Sequence, residues 1–279
     1  MDLPPVGLGT MGIDDPDAVA TALALGYRHL DTARIYDNEA VVGEGLAAGL
    51  AGDAGAAGLA GDAGAAGLAG DASAALDRED VTVATKLWID DLAADAVAPA
   101  ARESADRLGV DAIDLLYVHR PRGDYDPEAT LPALDRLVDD GLVRNVGVSN
   151  FEIDDLDRAV DRLDAPLAAH QTELHPLFYN TELLDHAREH GYPVVAYSPL
   201  AGGRVREIDA VVEVADAHGT TPEAVAIAWT TAKDPVVAIP KASSEAHLRA
   251  NLAAADLELT ESEIAAIDAV ECEEELFPE

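Results

Sequence analysis

The chain is poor in cysteine, lysine and aromatic side chains, and each shortage narrows what it can be. Cys272 is the sole cysteine, so no intramolecular disulfide can form and a reducing compartment is expected. Lysine is confined to Lys86, Lys233 and Lys241, and all 18 basic residues face 54 acidic ones, leaving a formal net charge of −36. A surface of that sign repels phosphate backbones, which argues against a nucleic-acid partner. No uninterrupted apolar run is long enough to span a bilayer, and the opening MDLPPVGLGT has neither a basic n-region nor an apolar h-region. A cytoplasmic protein with no membrane partner is expected, and no residue is assigned to a metal.

What is present is acid distributed through otherwise globular sequence, with alanine in place of larger apolar residues. That pattern resembles halophilic proteins of salt-saturated cytoplasm. At molar salt the Debye length falls to about 3 Å, so a self-repelling carboxylate surface is tolerated and its hydration aids solubility. With 49% hydrophobic residues over 279 positions, the chain can bury a large single core.

Short β-rich apolar runs alternate with segments of helical periodicity, the order expected of parallel βα units. Strands are expected at Arg28–Thr32, Val81–Leu87, Ile113–His119, Arg144–Ser149, Ala168–Leu174, Val194–Leu200, Val236–Lys241 and Ala254–Leu259. Helices are expected at Asp15–Leu25, Leu92–Leu108, Thr130–Asp139, Ile153–Leu163, Thr181–His190, Thr221–Thr231, Ser244–Asn251 and Glu261–Val270. Eight units suggest an α/β fold closed into a (β/α)8 TIM barrel, one domain over residues 1–279. An open Rossmann sheet would carry a G-x-G-x-x-G turn after its first strand, and here that strand ends in Asp31-Thr32-Ala33.

Residues 48–74 break the rhythm, reading AGLAGDAGA twice and then AGLAGDASA. This Gly/Ala/Asp nonapeptide repeat has almost no large side chains and cannot supply a barrel layer. Glycine costs about 1 kcal/mol relative to alanine in a helix, which argues against an isolated stable helix. The repeat also lacks the G-G-x-G-x-D arrangement of calcium-binding β-rolls. It is expected to be a surface insertion after the first helix.

Barrel active sites lie at the C-terminal ends of strands. Those ends carry Asp31, Lys86, His119, Ser149, Asn150, Tyr197, Ser198 and Lys241, the fifth strand contains Gln171, and Tyr36 lies on the loop after the first strand. A chain that avoids lysine yet keeps two at strand ends has a use for a compact ammonium, which can sit beside a phenol where a planar guanidinium fits poorly. Hydride transfer to a carbonyl builds negative charge on oxygen and needs a positioned proton donor. A phenol such as Tyr36, with an ordinary pKa near 10, can serve if a cation stabilises its phenolate. Lys86 would be that cation, Asp31 its anchor, and His119 would orient the carbonyl or help shuttle the proton. Taken singly, these residues also have plain structural readings: a Lys86–Asp31 pair serving stability, a core histidine, a Ser149-Asn150 helix cap.

Gly26-Tyr27-Arg28-His29-Leu30-Asp31-Thr32-Ala33 and Ile35-Tyr36-Asp37-Asn38-Glu39 resemble the aldo-keto reductase signature. Thr85-Lys86-Leu87-Trp88, Gly147-Val148-Ser149-Asn150-Phe151, Gln171-Thr172-Glu173-Leu174-His175-Pro176, Tyr197-Ser198-Pro199-Leu200 and Ile239-Pro240-Lys241 resemble its later motifs, in order. The resemblance covers the whole chain apart from the repeat. It implies NAD(P)H-dependent carbonyl reduction by Asp31, Tyr36, Lys86 and His119, with Ser149, Asn150 and Gln171 on the nicotinamide carboxamide and Tyr197 stacked on its ring. It also implies pyrophosphate contacts in the 198–203 loop through Ser198, Leu200 and Gly202. Lys241 and Ser243 would lie near the adenosine 2′-phosphate, and Asn251 near the adenine. The family's frequent 2′-phosphate arginine corresponds here to His247, so NADPH is expected with NADH still open.

Within that family, GLGT at residues 7–10 and the YDNEAVVG run at residues 36–43 are similar to the prokaryotic 2,5-diketo-D-gluconate and methylglyoxal reductases, a resemblance that implies a small carbonyl substrate. Trp88, Arg120 and His175 would line its pocket, with Arg120 or Arg122 attracting a substrate carboxylate. A monomer is expected, with an open pocket because the chain ends soon after the last helix. The same barrel could instead serve as a nicotinamide-binding regulatory subunit, like potassium-channel β subunits, or as an isomerase without cofactor.

Overall fold

The structure, a computed structural model, describes residues 1–52, 76–270 and 274–277. Eight parallel strands follow one another around a barrel in chain order: β1 Leu8–Gly9, β2 His29–Asp31, β3 Thr82–Leu87, β4 Leu115–Val118, β5 Val146–Ser149, β6 His170–Glu173, β7 Val194–Tyr197 and β8 Val236–Ala238. Parallel bridges from Val6 to Ala238 and from Gly9 to Lys241 close the ring. Closure explains a glycine that the sequence pattern left without a role: a Cβ on Gly9 would stand 2.6 Å from the Ile239 carbonyl oxygen. Only a residue without a side chain lets the first strand approach the last.

This closure corrects one expectation. The strand that completes the set of eight is β1, Leu8–Gly9, at the start of the chain, whereas Ala254–Leu259, expected as a strand, begins as a 3-10 turn over Ala254–Asp256. Its apolar alternation has another cause: Leu257 and Leu259 are half-buried against the outer core as the chain enters its final helix.

The helices are α1 Pro16–Leu25, α2 Glu39–Leu50, α3 Val97–Leu108, α4 Pro127–Asp139, α5 Ile153–Arg162, α6 Thr181–His190, α7 Asp209–His218, α8 Pro222–Thr231, α9 Glu245–Ala253 and α10 Glu261–Asp268. Asp15 and Thr221 cap α1 and α8 through their side chains, each followed by proline in the first turn. The helices α2 and α7 were not among those expected. The repeat follows the second helix in chain order; its first residues, 48–50, complete α2, and residues 53–74 lie outside the described residues.

Strand residues are buried on both faces, as parallel barrels require. On β4, Leu115 and Tyr117 join the interior cluster, while Leu116 and Val118 face the helices. On β3, Ala84 belongs to the interior and Val83 to the outer layer, so Lys86 points inward by the same two-residue period. The fold therefore dictates that a charged side chain enters the barrel interior, where it must find a partner.

Candidate active site

Lys86 finds that partner in Asp31. Its Nζ lies 2.5 Å from Asp31 Oδ1 and 2.8 Å from the Thr32 carbonyl oxygen, with both charged side chains almost wholly buried. The other carboxylate oxygen accepts a 2.7 Å hydrogen bond from Gln171 Nε2, and Thr10 Oγ1 donates to the Asp31 carbonyl at 2.9 Å. Removing two charges from water is costly, and here geometry and extra hydrogen bonds offset that cost. Burial would lower the Lys86 pKa, but Asp31 and the Tyr36 phenol together hold it above the ordinary lysine value. The ammonium stays charged.

Tyr36 closes a 3-10 turn, Arg34–Tyr36, that leaves through Asp37 in the left-handed region at φ 54°. Arg34 pins this turn to Asp91 and Glu103, each at 2.9 Å. Asn38 ties the following residues to the Thr10 and Ile13 carbonyls and accepts from Thr32 Oγ1. So held, the Tyr36 ring centroid sits 5.3 Å from Lys86 Nζ. Burial raises the Tyr36 pKa, while the charge of Lys86 and a hydrogen bond to it pull in the opposite direction, and the net shift is upward.

His119 follows β4, its backbone N–H donating to the Leu87 carbonyl at 3.0 Å. Trp88 meets its ring edge-on at 4.9 Å and Tyr36 at 6.1 Å. Its Nδ1 is buried without a hydrogen-bond partner. Burial, with the Lys86 and Arg120 charges adding to it, pushes its pKa down to about 2. At neutral pH this imidazole is uncharged and can offer a hydrogen bond but carries no spare proton.

These groups border a cavity of about 470 Å3. Of the residues expected from sequence, Asp31, Tyr36, Trp88, His119, Arg120, Asn150, Gln171, Tyr197, Ser198 and Lys241 line it. Lys86 and Ser149 are buried beside lining residues. Ser149 Oγ accepts from Asn150 Nδ2 at 3.0 Å, the same amide nitrogen donates to the His119 carbonyl, and Tyr197 OH donates to Asn150 Oδ1 at 2.9 Å. Asn150 holds φ 59°, a left-handed conformation that asparagine tolerates better than most residues.

Leu200, Gly202, Ser243, His247 and Asn251 lie outside this lining. Of the six residues 198–203, Ser198, Ala201, Gly202 and Gly203 have positive φ. Left-handed residues mixed with right-handed ones gather backbone N–H groups into concavities suited to anions. Ser243 and His247 are exposed, and Asn251 is buried on α9. Ser244, the first residue of the helix expected there, caps α9 through its side chain. A polar, partly exposed aromatic ledge beside an anion-suited loop and an exposed lysine is compatible with an extended, phosphate-bearing cofactor.

Two further expectations change. His175 is fully buried and bonded to Glu173 at 2.8 Å, so it does not line the cavity. The mouth is also less open than the short terminus implied, because Glu173 accepts from the Leu276 and Phe277 backbone N–H groups at 2.8 and 3.1 Å. Phe277 thereby becomes part of the cavity wall, edge-on to Tyr197 at 5.8 Å. The cavity residues Thr10, Met11 and Ile35 were also missed. Thr10 and Met11 follow a strand of two residues, too short to show alternation.

Comparison with known proteins gives the family. A family model described as "Aldo/keto reductase family" matches residues 5–271. The chain is 33% identical to methylglyoxal reductase DkgB of Salmonella typhi, over 99% of this chain and 96% of that protein. It is 35% identical to an aldo-keto reductase of Mycobacterium sp. (strain KMS), over 99% and 92% respectively. Among solved structures, the aldose reductase of Schistosoma japonicum superposes with a TM-score of 0.86 at 28% identity, covering 99% of this chain and 91% of that one. The Bombyx mori aldo-keto reductase in complex with NADP gives 0.81 at 29% identity, covering 95% and 88%. From sequence, barrel and relatives alike, the chain belongs to the aldo/keto reductase family and is an oxidoreductase acting on carbonyl groups.

Proposed function

We propose that the cavity reduces a small oxygenated aldehyde or ketone, of the methylglyoxal or 2,5-diketo-D-gluconate type, with Tyr36 as proton donor and NADPH as the preferred reductant. The observation that carries this reading is the buried Lys86 ammonium, held by Asp31 at 2.5 Å beside the Tyr36 phenol. As negative charge grows on the carbonyl oxygen, Tyr36 gives up its proton, and the adjacent ammonium stabilises the phenolate left behind. Asp31 keeps that ammonium charged and fixed, and Gln171 fixes Asp31. His119, neutral and facing the same cavity, orients the carbonyl oxygen by a hydrogen bond. Of the two roles considered for it, orientation suits an imidazole without a spare proton.

A reduced nicotinamide supplies the hydride when bound. Ser149, Asn150 and Gln171 would hold its carboxamide, and Tyr197 would support the ring. Ser198, Leu200 and Gly202 would meet the pyrophosphate, with Lys241 and Ser243 at the 2′-phosphate, His247 beside them, and Asn251 near the adenine. Support for a nicotinamide comes from the family and from the NADP bound to the Bombyx mori neighbour. Trp88 and Phe277 would wall the substrate, and Arg120 would favour one bearing a carboxylate.

The test is steady-state NADPH oxidation with methylglyoxal and 2,5-diketo-D-gluconate in about 2 M salt, where screening is strong. Tyr36→Phe should lower kcat/KM by about 10²–10⁴-fold while nicotinamide fluorescence still reports cofactor binding. Equal turnover by this variant would sink the mechanism.

A further inference from the structure

A second group of ligand-type side chains lies outside the barrel, where α5 packs beside α6. His186 and His190 stand one helical turn apart on α6, their rings stacked with centroids 4.2 Å apart and planes at 25°. Asp157 on α5 brings Oδ1 to 3.1 Å from His186 Nε2. One ligand atom from each residue can be chosen so that all three lie within 4.8 Å of one another.

The three side chains differ in freedom in a way that suits ion capture. His186 is buried, and its Nδ1 stands 2.6 Å from the hydroxyl of buried Tyr192, two residues beyond the helix. That contact fixes the ring with Nε2 turned toward Asp157. With an ion on Nε2, the ring proton resides on Nδ1 and is donated to the Tyr192 oxygen, the outer contact that metal-bound histidines use to fix tautomer and orientation. Asp157 and His190 are exposed and can swing inward. Bonds of about 2.0–2.1 Å to a tetrahedral ion put neighbouring ligand atoms about 3.3 Å apart. The Asp157–His186 pair is already close to that spacing, so His190 has the main adjustment to make.

We propose that Asp157, His186 and His190 form a binding site for a zinc-type divalent transition metal, with three protein ligands and the remaining position open to water. Two imidazoles with one carboxylate suit zinc, nickel, copper or cobalt better than magnesium or calcium, which favour all-oxygen sites. The site lies near the end of α6 that leads into the start of β7, opposite the catalytic mouth. Its bound ion clamps α5 to α6 and takes no part in the reaction at Tyr36.

The test is calorimetric titration of chelator-treated full-length protein with Zn2+ in 1 M KCl, where screening weakens diffuse attraction to the acidic surface. The expected result is one equivalent of Zn2+, bound at least about tenfold more weakly by His190→Ala and by Asp157→Asn. Both substituted positions are exposed, so the variants should remain folded. Co2+ should give a visible d–d absorption band in the parent protein that His190→Ala removes. Absence of a stoichiometric Zn2+ event, or unchanged affinity in both variants, would overturn the proposal.

Discussion

The end of the cavity proposed to carry the reaction and the rim that would receive the cofactor's phosphates are built on opposite terms. Asp31, Lys86 and Gln171 are buried and interlocked, both carboxylate oxygens carrying a partner. Lys241, Ser243 and His247 lie exposed on a loop and the first turn of α9. Proton donation needs a charge fixed in a poorly screened place, where it acts strongly on a neighbouring phenol. Phosphate recognition at a wet rim is weaker, additive and dependent on salt. The expected consequence is a reaction centre intolerant of change and a cofactor preference that can drift.

The sharpest way to break this contrast is Lys86→Met. Removing one partner of a buried pair leaves Asp31 uncompensated, so chemical denaturation should show a loss of about 3–5 kcal/mol of stability together with lost turnover. The double variant Asp31→Asn/Lys86→Met should regain much of the stability and none of the activity. If Lys86→Met is as stable as the parent, the pair is not the buried anchor described above.

At the rim, Lys241→Ala should raise the KM for NADPH about tenfold at low salt, roughly 1.4 kcal/mol, and change the KM for NADH little. Repeating the measurement in about 2 M salt should shrink that difference, because an exposed ion pair is screened. A loss that is equal for both cofactors and insensitive to salt would place Lys241 in a structural role.

The smallest expected effect is a flat profile. His119, with its pKa pushed down to about 2, is uncharged throughout pH 5–8. Tyr36, raised above its ordinary value, keeps its proton over the same range and loses it only as pH rises through that raised pKa. The rate of reduction should therefore show no limb from either group between pH 5 and 8, with a fall on the alkaline side. A limb near pH 6.5 that disappears in His119→Asn would show that this histidine titrates in the working enzyme.

Strong local signals were readable without coordinates. Asp15-Pro16 and Thr221-Pro222 mark helix starts because a capping side chain and a proline act within one turn. Ala254–Leu259 misled because apolar alternation reports one-sided burial, whether or not a strand partner exists. Leu8–Gly9 was silent because a two-residue strand has no period, and its glycine is required only by a neighbour more than two hundred residues away. His186 and His190 show their one-turn spacing in the sequence, but Asp157 joins them only through the packing of α5 against α6.

For Asp31, Tyr36, Lys86 and His119, residue type and strand-end position were enough to bring them into one hypothesis, since their chemistry is local to each side chain. Their charge states were not readable in this way. Burial and mutual distance decide that Lys86 stays charged, that Tyr36 stays protonated and that His119 stays neutral. The Glu173 grip that brings Phe277 to the cavity wall also spans about a hundred residues of chain. The sequence by itself determined the barrel class through its βα periodicity and the family through its ordered motifs, and it nominated the candidate reactive groups by side-chain chemistry. Closure, protonation and the shape of the mouth depend on which distant atoms become neighbours, and only the tertiary structure decided them.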